Sequence, residues 1–236
     1  MTAEVTAASA LGPADAAAMY ALLTTYFDAT SELAFQADLA EKDFVILLRD
    51  SQRSIRGFST GKILEGDDWR AVYSGDTIIH HEHWGEQTLA LEFAAQAGRL
   101  KAQAPTIPLY WFLITKGYRT YRYLPLFFHE YYPRWDRPTP AGPRRLLDTL
   151  AEARFGAAYQ SELGVVRFPL SHGHLRDAWA GVRAGLLRNP DVRYFLEHNP
   201  GYTQGDELVC LAELSEANIR PVALRVFREA LHSCRT

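Results

Sequence analysis

The feature that most constrains the fold is an uninterrupted apolar run, LYWFLIT, at residues 109–115. It has the length of a strand, and continuous apolarity is typical of a strand that a sheet buries on both faces. The segment just before it, EQTLALEFAAQAGRL at 86–100, has high helix propensity and places apolar residues on one side. A buried strand that follows an amphipathic helix indicates a sheet with helices packed against it.

Upstream of this run, the pattern predicts two helices and then a meander of three antiparallel strands. The first helix begins at Pro13 and repeats apolar residues to about residue 29, and a short second helix holds Phe35 and Leu39. The three strands are predicted at 43–50, 56–65 and 68–82. The order of elements is therefore that of an α+β fold.

Beyond four prolines between residues 133 and 143, which end any helix near Tyr132, the pattern changes. Helices are predicted at 144–156, around 175–188, at 190–198 and from Pro221, and strands at 164–170 and 207–214. These elements form a C-terminal extension of the preceding fold.

Composition excludes several classes of function. A formal net charge of −3 over 236 residues gives no global attraction to nucleic acid or to anionic lipid. The two cysteines, Cys210 and Cys234, fit neither metal-ligand spacing nor a disulfide framework. No signal-peptide pattern and no apolar stretch near the roughly 20 residues of a membrane span occurs. We therefore expect a cytoplasmic protein without a membrane span.

The junction TIIHHEHWGEQTLAL, at residues 77–91, carries the most specific pattern of the chain. Together with the order of helices and strands over residues 13–132, it resembles the GNAT superfamily of N-acyltransferases. In that family an apolar pair ends a strand, and a glycine-containing loop then leads into a helix whose first N–H groups bind the donor. The resemblance assigns donor binding to Ile78, Ile79, Trp84, Gly85, Glu86, Gln87 and Thr88.

The loop departs from the family pattern where phosphate binding needs it most. Trp84 replaces the usual Arg or Gln, and Gln87 and Leu89 replace glycines that allow close approach of the backbone to phosphate. The donor is accordingly either acyl-CoA or the acyl-phosphopantetheine of an acyl carrier protein, which presents the same thioester without a pyrophosphate.

The resemblance implies a GNAT acyltransferase fold, with a mixed, mostly antiparallel sheet flanked by helices. Residues 1–135 then form the acyltransferase core. Residues 136–236 form an extension that completes the sheet and covers the acyl and acceptor site. The implied activity is transfer of an acyl group from a thioester donor to an amine acceptor.

The resemblance also implies the catalytic groups. A base comes from the strand before the donor loop, which gives Asp76 or His80, and a tyrosine after the next strand protonates the leaving thiolate, which gives Tyr123, with Tyr121 and Tyr118 behind it. Asp76 is equally well explained as a turn-capping carboxylate, and each tyrosine as core. A bulge in the strand would exchange which side chains face the substrate.

Three histidines and a glutamate in the loop also invite a metal interpretation: His80, His81, Glu82 and His83. Neighbouring strand residues point to opposite faces, and no distant Cys or His cluster supplies further ligands. We therefore expect no metal.

The segment from Tyr110 to Trp135 is unusually rich in aromatic residues. An apolar slot there would accept a medium or long acyl chain, each methylene of which contributes about 0.8 kcal/mol on burial. The predicted function is then fatty N-acylation of an amino acid or peptide side chain, for example lipidation of a ribosomal peptide. The alternative is a catalytically inactive GNAT fold that binds an acyl ligand or another protein.

Overall fold

The computed structural model describes residues 1–169 and 172–233, so Cys234 and Leu170 lie outside the described residues. The strands are β1 (Thr2–Ala7), β2 (Phe27–Asp28), β3 (Phe44–Arg49), β4 (Ile55–Glu65), β5 (Arg70–Ser74), β6 (Thr77–Ile79), β7 (Leu109–Thr115), β8 (Tyr159–Gln160), β9 (Val165–Val166), β10 (His174–Leu175) and β11 (Glu207–Glu213). The helices are α1 (Pro13–Tyr26), α2 (Glu32–Ala40), α3 (Thr88–Gln103), α4 (Tyr118–Tyr121), α5 (Tyr123–Phe127), α6 (Ala141–Phe155), α7 (Asp177–Ala180), α8 (Pro190–His198) and α9 (Pro221–Ser233). The α+β class, with a mostly antiparallel sheet and flanking helices, is confirmed.

The chain divides into two compact units. The first comprises residues 1–25, 31–111 and 213–233, and the second comprises residues 26–30 and 112–212. The predicted functional division at residue 135 concerns the roles of the segments and stays a prediction.

In the first unit, β3 pairs antiparallel with β1 on one side and with β4 on the other. Every residue of β3 is buried. The apolar sequence FVILL predicts this for the first five residues, and Arg49 pairs with Glu4 and Asp15. Along its other edge, β4 pairs with β6 and then with β5. The ring of Phe58 on β4 contacts Phe35 of α2, which in turn contacts Tyr20 of α1. The first two helices therefore cover the sheet face that carries Phe58.

Close packing of α3 against α9 depends on a glycine. A Cβ placed on Gly98 would lie 2.4 Å from the carbonyl oxygen of Phe227 and 3.0 Å from the Cβ of Ala230. No side chain fits there unless one helix moves. Gly98 therefore sets the distance between these two helices.

We expect Gly98→Ala to destabilise the protein by about 1–3 kcal/mol, because overpacking outweighs the roughly 1 kcal/mol that alanine gains in helix propensity. Gly142→Ala in the first turn of α6 is the control, since a Cβ there meets nothing within 4 Å. Midpoints of urea unfolding measure both changes. A Gly98→Ala protein as stable as the control would show that the two helices adjust freely.

The second unit contains a small antiparallel arrangement in which β9 pairs with both β8 and β11. An antiparallel bridge also joins Tyr132 to Leu211. A two-stranded ribbon pairs β2 with β10. The core of the unit includes several aromatic residues, and Tyr121, Phe112 and Phe195 are fully buried.

The structure corrects several predicted elements. The predicted strand at 68–82 is interrupted, and the strand at 164–170 is limited to β9 among the described residues. The helical segment after β7 ends at Phe127, five residues before Tyr132. The stretch at 175–188 holds only α7 and a 3-10 turn, since glycines at 181 and 185 disfavour a continuous helix. No helix among the described residues combines the length and apolarity needed to cross a membrane.

Candidate active site

The interruption between β5 and β6 is a β-bulge. Lys62 on β4 lies opposite Tyr73, and Ser59 lies opposite Thr77. Three steps along β4 thus face four steps on the other strand, which leaves one extra residue. The turn around Gly75 accommodates it.

This bulge decides which side chains share a face. In a regular strand Tyr73 would point away from even-numbered residues such as Asp76 and His80. The extra residue reverses the alternation, because Tyr73 is opposite Lys62 while Ile78 is opposite Phe58, and these two β4 residues lie on the same face. Tyr73, Asp76 and His80 consequently all lie on the face that carries Phe58.

His80 is held at the end of β6 by a backbone hydrogen bond, 2.7 Å long, from its N–H to the carbonyl oxygen of Arg56. Its ring stacks on that of His81, with centroids 4.4 Å apart. Its Nδ1 is buried, has no hydrogen-bond partner among the described residues, and lies 3.5 Å from a carboxylate oxygen of Glu82. The imidazole is therefore fixed in place by the loop that follows it.

Burial lowers the pKa of His80 below its ordinary value, and the positive charges that His81, Arg56 and His83 can carry lower it further. Glu82 opposes this effect. A histidine with a lowered pKa is neutral at neutral pH, and a neutral imidazole accepts a proton. His80 is thus in the protonation state that a general base needs.

Asp76, the other base candidate, is tied into the bulge by its backbone. Its carbonyl oxygen accepts a hydrogen bond from the N–H of Thr60, and its own N–H donates to the hydroxyl of Thr60. Both contacts are made by the backbone of Asp76 and leave the role of its carboxylate open. The lowered pKa of His80 favours His80 over Asp76 as the base, and the choice remains a prediction.

Lys42 is a charged residue of this region that the sequence did not single out. Its side chain is fully buried, its Nζ donates to Asp38 at 2.6 Å, and it lies 5.2 Å from the ring centroid of Tyr73. A Cβ on Gly75 would lie 3.7 Å from this Nζ. The triplet EKD between α2 and β3 resembles an ordinary exposed turn, so no local signal predicts the burial. The ammonium places a fixed positive charge beside the bulge.

The predicted donor loop is closed by its own hydrogen bonds. The indole Nε1 of Trp84 donates to the carbonyl oxygen of Ile79 at 2.8 Å, and His83 Nδ1 is 2.8 Å from Glu86 Oε1. Gly85 has φ +106°, a conformation that favours glycine. The loop therefore turns back on the strand before α3 begins.

At the start of α3, Gln87 occupies the N-cap position, and its side chain forms no capping hydrogen bond. The first N–H groups of the helix, beginning with Thr88, thus lack a side-chain cap among the described residues. Such N–H groups and the helix dipole favour an anionic or carbonyl oxygen. Donor binding by Ile78, Ile79 and residues 84–88 is compatible with this geometry and stays a prediction.

Tyr121 and Tyr123, the tyrosines predicted as acids, belong to the second unit and differ in burial and in hydrogen bonding. Tyr121 is fully buried, and its hydroxyl donates to the carbonyl oxygen of Pro133 at 2.9 Å. Burial, the largest effect, raises the pKa of Tyr121 far above its ordinary value. Its ring also contacts Tyr131 and Phe195. These contacts favour a structural role for Tyr121.

Tyr123, the first residue of α5, is only partly buried and stacks on Phe127 with centroids 5.8 Å apart. Within the described part of the chain its hydroxyl has no hydrogen-bond partner, and it is not enclosed. Burial raises the pKa of Tyr123, so the phenol is protonated at neutral pH. It is therefore the better placed proton donor of the two.

Among residues 1–169 and 172–233, no group of three or more His, Cys, Asp or Glu side chains has an arrangement that could hold a metal ion. In the loop, His83 pairs with Glu86 and His80 stacks on His81. The loop histidines thus have other contacts.

No family model matches this sequence, and no curated protein matches it in sequence. Solved structures similar to the chain include the GNAT family N-acetyltransferase YhbS from Escherichia coli in complex with CoA, at 15% identity and a TM-score of 0.35, over 49% of this chain and 64% of that one. The ribosomal-protein-alanine N-acetyltransferase from Brucella melitensis is similar at 17% identity and a TM-score of 0.37, over 48% and 80%. The NatC complex bound to Gag peptide and CoA has 11% identity and a TM-score of 0.40, over 91% and 100%. At these identities and TM-scores, the function of this chain has to be argued from its own residues.

Proposed function

We propose that this chain is an N-acyltransferase that transfers a medium or long acyl group from an acyl-CoA or acyl-carrier-protein thioester to an amine. The acceptor is an amino acid or a peptide side chain, as in the lipidation of a ribosomal peptide. The observation that carries the proposal is the position of His80, which lies on the same face as Tyr73 and Asp76 and next to the loop that leads to α3, with a buried Nδ1 and a pKa that burial lowers.

In the proposed reaction, His80 removes a proton from the acceptor ammonium. The neutral amine then attacks the thioester carbonyl carbon, and a C–N bond forms. The nitrogen of the tetrahedral intermediate loses its second proton to solvent, and collapse of the intermediate breaks the C–S bond and restores the carbonyl, which gives the neutral amide. The leaving thiolate takes a proton from the Tyr123 hydroxyl, and Tyr123 and His80 return to their starting protonation states by proton exchange with solvent. Acid and base catalysis of this kind typically contributes about 10²–10⁴-fold to the rate.

One feature of the first unit supports donor binding there. The uncapped N–H groups at the start of α3 provide donors for the oxygens of a pantetheine or phosphate.

The direct test is release of free thiol from acyl-CoA and from acyl carrier protein, with and without a panel of amines, alongside mass spectrometry of the amide. Amine-dependent thiol release with either donor supports the proposal. Binding of acyl thioester with no turnover for any amine would instead favour the catalytically inactive alternative.

The length of the acyl group is tested separately. Most of the aromatic side chains between residues 110 and 132 are buried in the core, but Leu126 is 45% exposed one turn from Tyr123 on α5. We expect the specificity constant to rise from a two-carbon donor to one of eight or more carbons, because each buried methylene contributes about 0.8 kcal/mol before chain ordering. A donor series from two to sixteen carbons, with one amine, measures this. Equal constants for acetyl and the best long chain would contradict the fatty-acyl preference.

A further inference from the structure

A cavity lies within the second unit, between α8 and residues 134–138 of the segment that precedes α6. Its volume is about 560 Å³, which is within the usual range of small-molecule sites. Three arginines contribute to its walls, together with Trp135, Tyr194, Glu197 and His198. The reaction proposed above uses none of these residues.

The three arginines differ in how far their guanidinium groups are already paired with carboxylates. Arg134 is committed, because it pairs with Asp136 and Glu130 and donates to the carbonyl oxygen of His129. Among the described residues, Arg137 forms only longer contacts, 3.4 Å to Glu130 and 3.7 Å to Asp136, and its side chain is about half exposed. Arg193 is exposed and has no ion-pair partner among the residues that the structure describes. Two guanidinium groups therefore have N–H donors to offer a ligand.

Aromatic rings also line the cavity, beside these arginines. Trp135 is 53% exposed, which is unusual for a side chain that gains so much by burial. The rings of Tyr194 and His198 stack with centroids 3.8 Å apart. Burial raises the pKa of Tyr194 to about 12, so its phenol stays neutral and can donate a hydrogen bond. The cavity therefore offers aromatic surfaces on which the planar ring of a ligand can stack.

We propose that this cavity binds a ligand that combines a planar ring, hydroxyl groups and a phosphate, the chemistry of a nucleotide. Two guanidinium groups suit a phosphate better than a carboxylate, because a phosphate offers three strong acceptor oxygens and more negative charge. Glu197, which has no partner among the described residues, adds an acceptor of the kind that binds ribose hydroxyls. Trp135, whose ring is exposed, stacks on the base.

The test is calorimetric titration of the full chain with AMP, adenosine and inorganic phosphate. We expect AMP to bind more tightly than either part, and Arg193→Gln to weaken AMP binding by about tenfold or more through loss of charged hydrogen bonds. Trp135→Leu weakens adenosine and AMP alike and leaves phosphate unaffected. Competition between AMP and CoA shows whether the source is a free nucleotide or the nucleotide part of a larger ligand.

Arg188→Gln is the matched control, since Arg188 is also exposed, has no ion-pair partner among the described residues, and does not line the cavity. Circular dichroism verifies that each variant is folded. Undetectable AMP binding, or equal losses in Arg193→Gln and Arg188→Gln, overturns the proposal. Either result leaves the acyltransferase proposal intact, because that proposal assigns no role to these residues.

Discussion

Replacement of His80 by glutamine is expected to lower turnover by about 10²–10⁴-fold, the usual contribution of a general base. Glutamine keeps a polar side chain of similar reach but cannot accept a proton at neutral pH. Steady-state rates of thiol release, with the amine saturating, measure the effect. The donor dissociation constant should stay unchanged, because His80 acts on the acceptor.

The pH profile separates a base from a structural residue. His80 must be neutral to act, and burial lowers its pKa, so activity is lost on acidification only as the pH falls through a value below that of an ordinary histidine. This acidic limb should be absent from the residual activity of His80→Gln. His129→Gln, at an exposed histidine, is the control and should keep both rate and profile. A wild-type rate in His80→Gln would transfer the role to Asp76.

The second large effect is expected from Tyr123→Phe, which should reduce turnover by about 10²–10⁴-fold with little change in donor affinity. The hydroxyl acts only on the departing thiolate, so its loss removes transition-state stabilisation alone. Because this hydroxyl has no partner in the described part of the chain, stability should not change. Donors with a more acidic thiol leaving group should suffer less from the substitution.

Tyr121→Phe provides the contrasting variant. It removes the hydrogen bond to Pro133 and leaves a carbonyl oxygen without its donor, which should cost about 1–3 kcal/mol of unfolding free energy. Turnover per folded molecule should persist. If Tyr121→Phe is slow and Tyr123→Phe is not, the acid role belongs to Tyr121.

Elements with strong local patterns could be predicted from the sequence. The first three helices, and the strands β3, β4, β7 and β11, lie where periodicity and apolar runs place them. The edge strand β1 could not, because its short, partly exposed sequence TAEVTA gains strand structure only by pairing with β3, more than thirty-five residues away. Long-range pairing leaves no mark on the local pattern.

The residue types of the candidate site could be predicted from the sequence, but the burial and contacts of these residues could not. Tyr121 and Tyr123 cannot be distinguished by the local sequence. Because α4 ends between them, Tyr121 is buried, whereas Tyr123 reaches the surface. Burial of Lys42 depends on α2 and β5 together, which are far apart in the chain. Packing between elements, and not local propensity, decides such differences.

The extra residue between Tyr73 and Thr77 also matters for comparison of this chain with others. A sequence that lacks it has the same residue types in nearly the same order, but presents the opposite set of side chains beyond this point. An alignment gap misplaced by one position would thus match His80, on the sheet face that carries Phe58, to a residue on the opposite face. A single substitution leaves the faces of all later residues unchanged here, whereas a single insertion or deletion reverses them. Relatives of this chain are therefore best sorted by the length of this segment before their side chains are compared.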